Sequence, residues 1–300
     1  MTSPIDALRA SLADRYEIDR EVGADDLRTV YHARDMRLTR DVRLSVVRPS
    51  LAASLGAARF LNATARLGRI RHPWVTQFIE AGDLDGTLWF ATTAPEGESL
   101  RERLTRDGTL PIDLAVRLTR SAAQALQFVH EEKFVHGALT TDHIFVTHEG
   151  EVAICDVGLA HAIAPETACD ARGDQRALAA IAIEMLTGAP PAIGASGASV
   201  RTRRPEVPPS VDAALQRAVS PDPAQQFACP ADLELALRPP NEGPKRGLSL
   251  TTKLIGGFII LIILIVSAVG LFMVMRVAAA GNAPAAEGNA PAAEPMAQPR

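Results

Sequence analysis

Residues 134–158, FVHGALTTDHIFVTHEGEVAICDVG, bring together His136, Asp142, His143 and Asp156. Imidazole and carboxylate both ligate metals, so Asp156 with His143 makes a candidate divalent-cation site. The plainer alternative is that Asp156 hydrogen-bonds backbone in a tight loop, as Asp commonly does. The three cysteines, Cys155, Cys169 and Cys229, lack metal-ligand spacing such as C-x-x-C. An odd, scattered set reads as reduced thiols in a cytosolic domain.

Several elements must hold this stretch in place. Leu114, Leu118, Ala122 and Leu126 recur every four residues just before it, as one buried helical face requires. Ser99-Leu-Arg-Glu102 is a capping-box pattern that starts a short helix. Residues 174–188, DQRALAAIAIEMLTG, predict a second long helix, with Gly188 as its stop. At 300 residues and 47% hydrophobic, the chain has material for one or two domains. A net charge of −4 gives no basic footprint for nucleic acid.

The N-terminus lacks the basic start and apolar run of a signal peptide. The apolar signal lies near the other end, where 254–275 holds 22 residues without a charge. As a helix it would span about 33 Å, enough for a hydrocarbon core of about 30 Å. Lys245, Arg246 and Lys253 precede it and Arg276 follows, which places the N-terminal side in the cytoplasm. The expected topology is a single pass through the inner or plasma membrane, with a short tail outside. Residues 238–253, rich in Pro and Gly, form an expected flexible linker. The tail, 276–300, carries GNAPAAE twice and is expected to be disordered.

The opening stretch resembles the H-R-D-L-x-x-x-N and D-F-G loops of protein kinases. The resemblance runs over 14–237 and is nearest to bacterial serine/threonine kinases. DRYEIDREVG (14–23) is similar to the first strand, EGESL (96–100) to the end of the hinge, and 174–188 to the central helix of the C-lobe. Many weak matches in the right order carry it. It implies an α+β, two-lobed protein-kinase-like fold with a β-rich N-lobe and a helical C-lobe. The transmembrane helix and disordered tail would follow. In the family, nucleotide binds between the lobes.

The cleft departs from that pattern at nearly every chemical position. Of the glycine-rich loop only Gly23 remains, followed by Asp25, Asp26 and Arg28. The acidic pair reads as a polar hairpin turn. Ser45 stands at the phosphate-binding lysine and Ala63 at its glutamate partner, so both members of an ion pair are absent together. Arg43 replaces the small residue against adenine. Pro95 removes one hinge N–H. Gly137, Ala138, Thr140 and His143 replace the Arg, the catalytic Asp, the Lys and the Asn. Asp156 and Gly158 survive around Val157, with Asp156 as the metal-binding position. His136 and Asp174, both kept, are structural in the family. The segment from Ala160 to Asp174 is short, and 189–210 shows no helical period where a substrate-docking helix would lie.

These departures lead to the expectation of a catalytically inactive, membrane-anchored pseudokinase that binds or scaffolds other proteins. No cofactor is expected on that reading. The partner is an unidentified protein, and family analogy suggests another kinase. The alternative is an atypical active serine/threonine kinase, or an ATP-binding switch, using ATP, Mg²⁺ and Asp156, with Asp142 the nearest carboxylate to the emptied base position.

Overall fold

The computed structural model describes residues 4–166, 170–191 and 199–239. The expected span at 254–275, the tail at 276–300 and nearly all of the 238–253 linker lie outside the described residues. Among the described residues no helix is long and apolar enough to cross a membrane.

A helix, α1 (Pro4–Leu12), precedes the first strand and buries Leu8 completely against a small core around Tyr16, Val42, Leu44 and Trp89. Five antiparallel strands follow: β1 (Tyr16–Ala24), β2 (Arg28–Asp35), β3 (Arg40–Val47), β4 (Phe78–Leu84) and β5 (Thr87–Thr93), in the order β1-β2-β3-β5-β4. The β1–β2 hairpin turns at Asp25, whose Oδ1 accepts the N–H groups of Leu27 and Arg28 at 2.8 Å each. That is the polar hairpin turn expected of the acidic pair. Val30 faces Ser45 across the β2–β3 register, and Ser45 faces Phe90 on β5. Between β3 and β4 the chain forms α2 (Pro49–Leu55) and α3 (Ala57–Thr64), broken at Gly56 with φ 76°.

The second layer is helical. After β6 (Glu98–Ser99), α4 (Leu100–Asp107) starts with the expected reciprocal capping box between Ser99 and Glu102. The long helix α5 (Ile112–Glu131) buries Leu118, Ala122 and Leu126, with Leu114 half-buried. Two short strands, β7 (Ile144–Val146) and β8 (Val152–Ile154), pair antiparallel and carry the site loops between them and α6 (Leu159–Ile163). The central helix α7 (Ala171–Thr187) is capped by Asp170 and stops at Gly188 in the left-handed conformation, φ 77°. Described residues 199–208 hold no α-helix, in keeping with the missing helical period there.

The layer closes with α8 (Pro209–Ala218) and α9 (Pro230–Ala236). Glu234 of α9 is 3% exposed and bridges Arg120 of α5 to Arg238, just beyond α9. One core runs from Phe60 and Phe90 under the sheet, through Leu118 and Leu126, to Leu178 and Leu233.

Candidate functional site

The site loops are held by Asp174, at the first turn of α7 and fully buried. Its carboxylate accepts the backbone N–H of His136 at 2.7 Å and of Gly137 at 2.8 Å, and contacts His130 Nε2 at 2.9 Å. Burial alone would raise its pKa, but these partners outweigh burial and hold it below the usual range. His136 is 1% exposed, and its Nε2 meets the Cys155 carbonyl at 3.0 Å. The retained His and Asp therefore brace the loop backbone.

Asp156 follows β8 with φ 66°, a left-handed conformation that Asp tolerates better than most residues. Its side chain is 6% exposed. Neither sequence reading describes what it does. Its Oδ2 takes a direct, charge-assisted hydrogen bond from Arg28 Nη2, across 128 residues of chain. Burial pushes the Asp156 pKa up, yet Arg28, with Arg43 and His143 behind it, holds the carboxyl far below the usual range. The expected pairing with His143 is looser, at 4.0 Å from Nε2 to Oδ2. His143 instead contacts Thr140 through Nδ1, at 3.2 Å from the backbone N–H and 3.0 Å from Oγ1. Burial, then the nearby His136, pushes the His143 pKa down to about 3, so the ring is neutral at pH 7.

Arg28 is the residue that sequence reasoning left in the background. It stands where the family has the last glycine of its loop, and a lone cation in that acidic turn was the available signal. Alternation along β2 puts Arg28 on the same face as Val30. Val30 lies opposite Ser45, so Arg28 reaches over the space that Ser45 leaves without a cation. Its guanidinium lies 5.4 Å from the Phe90 ring centre. Nη1 is buried and has no hydrogen-bond partner among the described residues.

Arg43 points into the cleft towards Phe145 and Cys155. Its guanidinium lies 5.4 Å from the Phe145 ring centre, and Nη1 reaches Cys155 Sγ at 3.5 Å. Burial first, then Asp156, raises the Cys155 thiol well above its ordinary pKa, so it stays protonated and unreactive. Thr92, on β5 before the hinge, is 3% exposed, and Pro95 sits in the connection from β5 to β6. Thr92 and Thr76 leave hydroxyls without partners beside a cavity of about 10 Å³ under Asp156. Ser45 is buried in β3, while Ala63 is half-buried on α3. Gly23 pairs with Val30, and open space lies where a side chain would stand. Ala138 is exposed, and Asp142 is exposed and 3.6 Å from Arg101.

The structure thus brings Asp156, His143, Arg43 and Arg28 to one interlobe centre. A divalent cation at Asp156 requires Arg28 to leave, because like charges repel strongly at such range. Arg28 itself lies between two carboxylates, Asp156 and Asp25, the latter 3.5 Å from its Nε.

The family description protein tyrosine and serine/threonine kinase matches residues 16–189. Serine/threonine-protein kinase PknB of Mycobacterium leprae is 29% identical over 280 residues, covering 78% of this chain and 45% of its own length. Serine/threonine-protein kinase PrkC of Bacillus subtilis is 24% identical, covering 76% of this chain and 40% of its own. The chain therefore spans less than half the length of these relatives. The crystal structure of the Mycobacterium tuberculosis PknI kinase domain aligns with TM-score 0.63 at 24% identity, over 74% of this chain and 94% of that one. The expectation of a domain that is not an enzyme is corrected by these relatives, which carry the name of serine/threonine-protein kinases. That expectation rested on Ser45, Ala63, Ala138, Thr140 and His143 departing together from the family pattern.

Proposed function

The chain belongs to the protein tyrosine and serine/threonine kinase family, and from that premise we propose an atypical serine/threonine protein kinase built as an ATP-operated switch. The observation that carries this reading is Arg28. It comes from β2 into the space beside Ser45, bonds Asp156, and keeps one buried donor without a partner. The phosphate-holding cation is relocated to the neighbouring strand in this reading. Arg28 and Asp156 would hold the phosphates and their divalent cation once their mutual bond opens. Bound ATP supplies the phosphoryl group, and the divalent cation offsets its charge.

The protein's own part is positioning. Asp174 fixes the backbone at His136 and Gly137, and Arg43 must leave Phe145 for a base to enter. Phosphoryl transfer relies mainly on placement and charge stabilisation, which lowers the demand for a base at Ala138. Anchoring to the inner or plasma membrane through 254–275, with the domain in the cytoplasm, is part of the proposal.

The test is thermal unfolding of the full chain with millimolar ATP and Mg²⁺ or Mn²⁺, beside incorporation of labelled phosphate into serine and threonine. Binding at about a hundred times Kd stabilises by about 2.7 kcal/mol. The shift and the incorporation should both vanish in Arg28→Met and Asp156→Asn. A wild-type chain showing neither overturns the reading. A second reading, regulatory protein binding with another kinase as partner, is favoured by the Arg28–Asp156 and Arg43–Phe145 contacts, which place two side chains across the cleft.

A further inference from the structure

A separate cavity of about 320 Å³ lies between the end of α3, the loop after α5 and α6. That size falls within the range of ligand pockets. Its floor is apolar, built from Ala63, Leu67, Phe134, Val135 and Ala162. Its rim is basic. Arg66 and Lys133 are exposed, and His161 stands beside them. The Arg66 guanidinium lies 5.4 Å from the Phe134 ring centre, so its stem is laid along the apolar wall. Lys133 sits at φ 65°, which is uncommon for a residue with a side chain. Among the described residues no carboxylate lines the cavity, although the chain as a whole carries more acidic than basic residues, 35 against 31.

We propose that this cavity is a docking site for an acidic peptide of a partner protein, with one apolar side chain entering the floor and flanking carboxylates meeting Arg66 and Lys133. Charge complementarity selects the occupant. A cationic peptide meets two like charges at the rim, and an apolar segment without acids leaves both cations unanswered. The cavity adjoins the Arg28–Asp156 centre through Leu67 and Gly158 without including either charged residue, and the proposal stands whether or not ATP binds there.

Anisotropy titrations of the full chain at low ionic strength test this, using pentapeptides that carry an uncharged fluorophore. The probe is Glu-Glu-Phe-Glu-Glu, with Glu-Glu-Ser-Glu-Glu and Lys-Lys-Phe-Lys-Lys as counterparts. Saturable binding of the first is expected, weaker by at least about tenfold for the serine peptide and for the chain carrying Arg66→Glu with Lys133→Glu. Arg59→Glu, a single charge reversal at an exposed position of α3 outside the cavity, should leave binding unchanged. Thermal unfolding of each variant establishes that it is folded. Three results overturn the proposal: no saturable binding by the wild type, equal affinity for the serine peptide, or affinity in the doubly reversed chain matching that of Arg59→Glu.

Discussion

Removing Arg28 and Asp156 one at a time and then together measures how far the interlobe centre holds the fold. The Arg28 and Asp156 side chains are 5% and 6% exposed. Deleting one partner of such a pair strands a buried charge and costs about 3–5 kcal/mol. Arg28→Met also forfeits the approach to Phe90, worth about 0.5–2 kcal/mol. Asp156→Asn leaves Arg28 and Arg43 facing each other without their shared carboxylate. The double variant removes both charges, so it should cost far less than the two single costs added. A coupling of about 2–4 kcal/mol is expected, near the Coulomb energy of a close pair at an effective dielectric of about 20. Urea unfolding at pH 7 followed by far-UV circular dichroism reads all four chains. Single costs below about 1 kcal/mol, or strictly additive costs, would refute the reasoning, because such values belong to a solvated surface pair.

Other consequences follow from neighbouring residues. His143 has its folded pKa lowered to about 3, against about 6.5 unfolded. The unfolded chain therefore binds the extra proton between these values, so stability falls as pH drops below about 6.5, by about 1.4 kcal/mol per unit. Urea midpoints from pH 7 to pH 5 should fall, and His143→Gln should flatten that slope. Asp174→Ala removes the acceptor for two loop N–H groups and should cost roughly 3 kcal/mol or more, seen in the thermal midpoint. Gly97→Ala would place its methyl 2.1 Å from the Val146 carbonyl oxygen at φ 89°, so the β6–β7 pairing should be disrupted and soluble yield lost. Ser99→Ala deletes one half of the capping box and should cost about 1 kcal/mol.

The sequence exposed those features whose physics is local. The Ser99–Glu102 cap, the Gly188 stop and the buried stripe of α5 each follow from spacing within a few residues, and all three are present. The bracing role of His136 and Asp174 was legible through the family pattern. The Arg28–Asp156 contact was not, because its partners lie 128 residues apart and alternation along a strand gives a face without giving a partner. Reading Asp156 as a metal ligand or a backbone cap left out Arg28, whose guanidinium it meets directly. Arg43 was legible as to position, but its direction awaited Phe145, which enters the cleft from β7. The basic-rimmed cavity joins residues 63–67, 133–135 and 158–162, whose proximity no periodicity discloses.

Glu234 has a mechanical meaning. Arg238, beside the last described residue, has its guanidinium tied to Glu234 at 2.7 Å. Glu234 is tied in turn to Arg120 at 3.1 Å. Those two ion pairs clasp the end of α9 to the middle of α5. From Arg120 the same helix runs to Glu131, five residues before His136. One carboxylate therefore holds the last described residues against the helix that leads towards the site loop.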